Sequence, residues 1–173
     1  MKHFIYCLVF SVSLSLMCVI STAAQTSTFS DKNVEYTFEL PDSVWKMNFK
    51  PTAAEPRVEY IYGDRMNGYL QIRKVPLEGN KTLADVMEDT EQKLQFKPGF
   101  VAGKEENFAG FYKGKVFNYE YVQSGKNISG RVYYLKTDEP TIYILQFTGL
   151  RDQLRPIRNE TDSIARTFKV KIS

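Results

Sequence analysis

The sequence predicts an α+β domain in which helices pack on an antiparallel β-sheet. Three observations indicate this class. Apolar and aromatic residues alternate with polar ones over several short segments, two other segments show helical spacing, and the links between neighbouring strands have hairpin length. The chain has 173 residues, with no internal repeat and no low-complexity tract. We therefore predict a single domain over residues 33–173.

The N-terminal segment, residues 1–24, has the pattern of an export signal. A short cationic start precedes an apolar run over 4–20, and small residues lead to a predicted cleavage site after Ala24. The run is longer than a minimal signal core although serines interrupt it, so an uncleaved anchor helix is the alternative. The predicted location is outside the cytoplasm, either periplasmic or secreted.

The first half of the domain is predicted to consist mainly of strands. Residues 25–32 are small and polar, and we expect them to form a short flexible lead-in. Val34, Tyr36 and Phe38 then alternate with polar neighbours, which is the period-two pattern of a half-buried strand. The predicted strands of this half cover residues 34–40, 44–47, 57–62 and 69–75, and the last two form an antiparallel hairpin through a loop at 63–68.

One amphipathic helix is predicted over residues 82–95. Apolar side chains recur at helical spacing on one face, while charged side chains occupy the other. Thr82 and Asp85 have the spacing of a capping box at the start of this helix. The turn at 97–99 contains the proline and the glycine that commonly follow a helix, so the helix is expected to end there.

The predicted strands resume after this helix, at residues 114–123, 128–137 and 141–148. Turns of hairpin length join them, which predicts a meander. Residues 142–145 are apolar on both faces, so we place the last of these strands inside the sheet, covered from both sides. A second helix is predicted over residues 156–168, with its proline at the first helical position.

Four segments carry a family resemblance. They are the stretch 36–45 (YTFELPDSVW), the helix that begins at Thr82, the stretch 108–119 (FAGFYKGKVFNY) and the closing 163–168 (SIARTF). Together, and in this order, they resemble the PsbP-like superfamily. That superfamily includes the extrinsic oxygen-evolving-complex subunit of photosystem II, a nuclear Ran-binding import factor and many exported bacterial proteins. The resemblance implies an α-β-α sandwich that docks on other proteins and shares no enzymatic mechanism.

The sequence contains few of the side chains that catalysis and metal binding commonly use. Cys7, Cys18 and His3 are the cysteines and the histidine of the chain, and all three lie in the predicted signal. After cleavage the chain lacks the groups that thiol nucleophiles, Ser-His-Asp triads and zinc sites require. The histidine metal sites associated with photosynthetic members of the superfamily are therefore not carried over. We expect a non-enzymatic protein without a cofactor or a metal.

The charge distribution bears on the choice of partner. The formal net charge of +3 is too small for a nucleic-acid-binding protein with a dedicated basic face, and export argues against that role as well. The C-terminal region from Arg151 to Lys171 is locally basic. Such a surface can meet anionic lipid headgroups, so peripheral membrane association is a further expectation.

The leading hypothesis is an exported module that docks on an envelope or extracellular protein. Tyrosine and tryptophan combine a large contact area with a polar tip, and Trp45, Tyr60 and Tyr62 are the predicted contact residues. Another explanation of these aromatics is that they simply cover a face of the sheet. The alternative function is binding of a small apolar or amphipathic ligand in a cleft between the sheet and a helix.

Overall fold

The computed structural model describes residues 26–137 and 140–171. The predicted export signal at 1–24, with its cleavage site, lies outside these ranges. In the described part of the chain, no helix has the length and apolarity needed to cross a membrane. The elements are β1 (Ser27–Ser30), β2 (Tyr36–Leu40), β3 (Trp45–Phe49), β4 (Val58–Tyr62), β5 (Asp64–Pro76), α1 (Leu83–Gln95), β6 (Val101–Ala109), β7 (Lys113–Gln123), β8 (Lys126–Lys136), β9 (Thr141–Leu150), α2 (Arg151–Leu154), α3 (Arg158–Thr167) and β10 (Lys169–Val170).

Seven strands form the main sheet in the order β3-β4-β5-β9-β8-β7-β6, and neighbouring strands are antiparallel. The predicted meander is confirmed as β7, β8 and β9. The central strand is β9, where residues 142–145 are all buried, as their apolar pattern predicted. The β4–β5 hairpin is confirmed too, but its turn is tighter than the predicted loop, because Tyr62 pairs directly with Asp64.

A second sheet of three strands, β1-β2-β10, packs on one face of the main sheet. Its first strand corrects the prediction of a flexible lead-in at 25–32, because Ser27–Ser30 pair antiparallel with β2. Phe29 is 4% exposed and stacks on Phe38, with the ring centroids 4.7 Å apart. One buried aromatic side chain in an otherwise polar segment thus holds β1 to the core.

Helical segments lie on both faces of the main sheet, which gives the α-β-α layering that the family resemblance implied. On one face, α1 contributes Val86 and Leu94 to a cluster with residues of β7, β8 and β9. On the other face, Leu154 of α2 and Ile164 of α3 join the small sheet in a larger cluster. The predicted α+β class is confirmed.

The ends of α1 are as predicted from its sequence. The Thr82 amide donates to Asp85 Oδ2 at 2.6 Å, and the Asp85 amide donates to Thr82 Oγ1 at 3.3 Å, so the capping box is present. Beyond the C-cap residue Phe96, Gly99 has a φ of +62°, a left-handed conformation that glycine adopts without strain.

Besides β1, the edge strand β6, the C-terminal helix and the short strand β10 differ from the sequence-based prediction. The edge strand β6 was not predicted, because most of its residues are polar or exposed and no period-two pattern marks them. The predicted helix over 156–168 is wrong at its start. A short helix α2 precedes Pro156, and α3 begins only at Arg158, because proline has no amide hydrogen to continue the helical hydrogen-bond ladder.

Candidate functional site

A cleft opens beside α1 because one helix is narrower than the sheet beneath it. A helix with its side chains is about 10–12 Å wide, whereas neighbouring strands are about 4.8 Å apart. The buried residues of α1, Val86, Thr90 and Leu94, lie over the inner strands β7, β8 and β9. The edge strand β6 extends past the helix, and the space between them is a cleft of about 760 Å³.

Apolar side chains form much of the lining of this cleft. Phe117 of β7 lies on the floor and is 6% exposed. The half-buried Leu83 and Met87 line the cleft from α1, and Ala102 lines it from β6. The volume is within the range of about 300–1,000 Å³ that small-molecule sites usually have. In size and in lining, the cleft can therefore hold a small apolar group.

The two ends of the cleft floor carry different side chains, because alternate residues of a strand point to the same face. Alternate residues of β7 share a face, which places Lys113 and Lys115 in line with Phe117. On β8, Lys136 shares a face with Tyr134, and Tyr134 is the register partner of Lys115. The floor therefore changes along the strands from lysine side chains to aromatic side chains.

A second hollow, of about 490 Å³, adjoins the cleft at its lysine end. Leu83, Lys115 and Lys136 line both spaces. Phe111, which is 59% exposed, and Lys113 line the second hollow only. A ligand that enters from this end meets an exposed aromatic ring and lysine ammonium groups before it reaches the apolar floor.

Carboxylates also line the cleft. Glu88 and Glu91 do so from α1 and Glu105 from β6. Glu105 Oε1 lies 2.7 Å from Lys115 Nζ, so these two charges largely compensate each other. Among the ion pairs of residues 26–137 and 140–171, none involves Lys113 or Lys136.

Tyr134 is a buried polar residue of the lining. Burial raises the pKa of its hydroxyl to about 12, and Thr90 of α1 is the polar neighbour that partly opposes this shift. The Thr90 hydroxyl itself donates to the Val86 carbonyl oxygen at 2.9 Å. At neutral pH the Tyr134 phenol is protonated, so it can donate a hydrogen bond but does not serve as a base.

The outer wall of the cleft depends on a glycine. The register between β6 and β7 shifts between Ala102 and Glu105, and Gly103 lies in this irregularity. A Cβ at Gly103 would lie only 2.6 Å from the carbonyl oxygen of Asn118. No residue with a side chain fits there unless the strand moves, so Gly103 fixes the position of β6 next to the cleft.

The predicted contact residues do not form an exposed surface. Trp45 is 4% exposed and donates from Nε1 to Glu160 Oε2 at 2.9 Å, while Tyr60 is 5% exposed in the aromatic core. Burial removes both from the surface, which corrects their assignment as docking residues; they cover a sheet face instead. Tyr62 is half-buried and packs on Trp45, with the ring centroids 5.2 Å apart.

The basic C-terminal region is tied to the sheet by ion pairs. Arg155 Nη2 lies 3.3 Å from Glu120 Oε1, and Arg158 Nη2 lies 3.3 Å from Glu106 Oε2. These contacts reduce the positive charge that is available to bind anionic lipid headgroups, which was the basis for expecting peripheral membrane association. They also lie on the face of the sheet that carries α2 and α3, away from the cleft.

A buried polar network links β8 to α3 on that same face. Arg131 Nη2 lies 2.8 Å from Asp162 Oδ1, and the Tyr133 hydroxyl hydrogen-bonds both Asp162 and Thr161. Each group has a partner within the protein, so the network holds α3 in place and leaves no group free for a ligand. Within the described ranges, no three histidine, cysteine, aspartate or glutamate side chains are grouped as a metal site.

The cleft residues were not predicted individually from the sequence. The pattern lysine-x-lysine-x-phenylalanine at 113–117 is a visible signal that one strand face changes from charged to apolar. What the sequence does not show is which of the sheet's strands α1 covers. That position decides whether Phe117 lies under the helix or beside it.

No known protein family and no curated protein matches the sequence. Solved structures do match the fold. The Ran-binding protein Mog1p of Saccharomyces cerevisiae aligns with a TM-score of 0.61 and 9% identity, over 85% of this chain and 96% of that chain. The cyanobacterial PsbP protein CyanoP of Synechocystis aligns with a TM-score of 0.55 and 15% identity, over 91% of this chain and 98% of that chain.

A mycobacterial protein has the same architecture. LpqN of Mycobacterium tuberculosis, described as involved in cell envelope biogenesis, aligns with a TM-score of 0.54 and 16% identity, over 86% of this chain and 91% of that chain. Sequence identities this low show a common fold but do not show a common function. The predicted PsbP-like fold is confirmed.

Proposed function

We propose that this chain is a non-enzymatic binding module that acts at the cell envelope after export, and that the cleft beside α1 is its binding site. One observation carries the proposal: a space of about 760 Å³, with an apolar floor and a charged rim, lies between a helix and the sheet. This is the arrangement that the ligand-binding alternative required.

Two further observations support this role. Beyond residue 24 the sequence contains no cysteine and no histidine, so the domain lacks thiol nucleophiles and imidazole, the commonest acid–base group. LpqN, which has the same fold, is described as involved in cell envelope biogenesis, and this supports the location that the predicted export signal indicates.

Native mass spectrometry of the chain, purified from its own host without detergent, tests the proposal. Ala84→Trp places an indole in the cleft from α1, and Gln95→Trp adds the same indole to the same helix outside the cleft. We expect a bound small molecule on the wild type and on Gln95→Trp, and its loss from Ala84→Trp. Equal retention by both variants would place the ligand elsewhere, and a bare wild-type chain would argue against the proposal.

A second candidate function is docking on an envelope protein. Phe96 is 89% exposed and Val101 is 60% exposed, and the two flank the turn at 97–99. Two large apolar side chains this exposed on either side of one turn are a candidate contact surface for a protein partner. Mog1p, described as a Ran-binding protein, shows that this fold is compatible with a protein partner.

Crosslinking of the tagged chain in its own cells tests the docking candidate. A single dominant envelope protein is expected on the wild type, and the double variant Phe96→Ser/Val101→Ser should lose it. Met47 and Met66 are exposed apolar residues elsewhere on the surface, and Met47→Ser/Met66→Ser is the matched control. The candidate fails if both double variants capture the same protein equally well.

A further inference from the structure

We infer that the cleft takes a single-chain amphiphile with an anionic head, and that the head lies at the lysine end while the hydrocarbon chain lies on the Phe117 floor. This inference rests on the proposed function, because it names the chemical class that the cleft would bind.

The lysine end provides the charge complementarity for an anionic head. Lys113, Lys115 and Lys136 all line the second hollow. Glu105 compensates Lys115 at 2.7 Å, so among residues 26–137 and 140–171 the positive potential of this hollow comes mainly from Lys113 and Lys136. Both are exposed. A head placed there can therefore remain partly hydrated, which avoids most of the cost of burying a charge.

The other end of the cleft suits a hydrocarbon chain and excludes an anion. Phe117 on the floor, Met87 on α1 and Ala102 on β6 offer apolar surface. Glu88 and Glu91 line the helix side of the cleft, where an anionic group would be repelled. Methionine is flexible and adapts to chains of different shape, so a lining that contains Met87 fits an acyl chain better than a rigid ring system.

A headgroup series tests the charge of the ligand. Isothermal titration calorimetry compares dodecanoate, dodecyl phosphate, dodecyl maltoside and dodecyltrimethylammonium, each below its micelle concentration. The two anions should bind roughly tenfold or more tighter than the neutral maltoside, because a lysine near an anionic head is worth roughly fivefold. The cation should bind weakest. The comparison of carboxylate with phosphate identifies which anionic head is preferred.

Lysine variants test the position of the head. Lys113→Gln/Lys136→Gln should weaken dodecanoate binding by roughly 25-fold, since two lysines at roughly fivefold each are removed. Lys46 and Lys126 are exposed lysines outside the cleft, and Lys46→Gln/Lys126→Gln changes the net charge equally. This control should bind dodecanoate like the wild type. An equal loss in both double variants would mean that only overall charge matters, which would overturn the proposed head position.

A chain-length series tests the position of the hydrocarbon chain. Each methylene that becomes fully buried should tighten binding roughly fourfold, so affinity should rise from octanoate to dodecanoate, and Ala84→Trp should abolish the rise. Equal binding of neutral and anionic heads would overturn the anionic inference but leave the cleft as the binding site. The proposed function fails separately, if Ala84→Trp retains the host-derived molecule in native mass spectrometry.

Discussion

Gly130 of β8 is covered by an aromatic ring from the neighbouring strand. It is the register partner of Tyr119, and a Cβ built on it would lie 2.0 Å from Cζ of the Tyr119 ring. Tyr119 is itself fully buried, and its hydroxyl accepts a hydrogen bond from Gln146 Nε2 at 2.8 Å. The rings of Phe117 and Tyr121 also stack on it, with centroids 6.0 and 6.1 Å away, so the Tyr119 ring has little room to move aside for a methyl group.

Gly130→Ala should consequently lower the free energy of unfolding by about 1–3 kcal/mol, which is the usual cost of overpacking a core. Urea denaturation measures it. The Tyr119→Leu variant lacks the ring, so in that variant Gly130→Ala should lower the free energy of unfolding by a smaller amount. If Gly130→Ala cost the same in both backgrounds, the ring contact would not be its cause.

Glu35 joins the small sheet to the main sheet through charged hydrogen bonds. Its Oε1 accepts from Lys74 Nζ and from the Tyr143 hydroxyl, each at 2.6 Å. Partial burial alone would raise the pKa of Glu35, but these hydrogen bonds outweigh it and hold the pKa below its usual value. The ionised form is therefore the one that stabilises the folded state.

The sign of the pH dependence follows from this lowered pKa. The contribution of Glu35 should be complete above its unfolded pKa of about 4.3 and should disappear as the pH falls through the lower folded value. Glu35→Gln should cost about 0.5–1 kcal/mol at pH 7, a small value because the side chain is partly exposed. Urea denaturation at pH 7 and at pH 3 measures the cost of the substitution, which should be smaller at the lower pH; a constant cost would contradict the assignment.

The sequence does not decide whether the aromatic residues lie at a surface or in the core. Trp45, Tyr60 and Tyr62 were predicted as contact residues because tyrosine and tryptophan suit interfaces and buried sheets equally well. Composition does not distinguish the two uses. Burial depends on long-range packing: Tyr60 lies against Phe29 and Phe38 of the second sheet, and Trp45 lies against Phe147 of β9.

At the scale of elements, α1 is both a wall of the cleft and the helix with the clearest local signals. Its capping box satisfies backbone donors that would otherwise be unpaired. Thr82→Ala should lower the free energy of unfolding by about 1 kcal/mol, and Thr82→Ser, which keeps the hydroxyl, should cost much less. Guanidinium denaturation measures both, and a serine variant as unstable as the alanine variant would show that the cap is not responsible.

Substitutions in β1 test how much the second sheet contributes to the stability of the fold. Phe29 is buried against the aromatic core, whereas its neighbour Thr28 on the same strand is exposed. Phe29→Ala should cost about 3–5 kcal/mol, and Thr28→Ala should stay within about 0.5 kcal/mol. Thermal and urea unfolding measure both. A Phe29→Ala variant as stable as the wild type would mean that β1 is dispensable.

The strands were predictable to different degrees because their surroundings differ. β9 was recognised from its apolar run, since a strand covered on both faces contains few polar residues. β6 lies at the sheet edge, where charges and a register shift discourage pairing with other chains. Those features remove the alternation by which a strand is recognised, so the strand that forms the outer wall of the cleft is the one that was missed.

At the scale of the whole molecule, the two hydrophobic clusters share the strands of one sheet. Both include residues of β7, β8 and β9, which present alternate side chains to the two faces. The clusters should therefore unfold together. Trp45, the single tryptophan of the chain, reports on one cluster by fluorescence, while circular dichroism also reports on α1.

The two signals should give coincident urea transitions, and Thr82→Ala should shift both midpoints equally, although the changed residue lies on the face opposite Trp45. A circular dichroism transition that precedes the fluorescence transition would instead make α1 a separately unfolding unit. The cleft would then close and open with that unit.

The fold class was predictable at this scale, but the cleft was not. Strand periods and hairpin links describe local chain geometry, and they are enough to imply an antiparallel sheet with helices. The cleft depends on where α1 rests across the sheet, which long-range packing of Val86 and Leu94 decides. The structure contains a cleft between the sheet and a helix, but the sequence did not predict the residues that line it.

The last strand, β10, has a consequence for protein quality control. Lys169 and Val170 pair with β2, and Phe168, which is fully buried, packs on Tyr36 and Tyr143 with centroids 5.1 and 5.0 Å away. A polypeptide whose synthesis stops before Phe168 leaves this aromatic cluster open to water and to proteases. A chain truncated before Phe168 is therefore expected to be cut by proteases faster than a chain that includes Phe168 and β10.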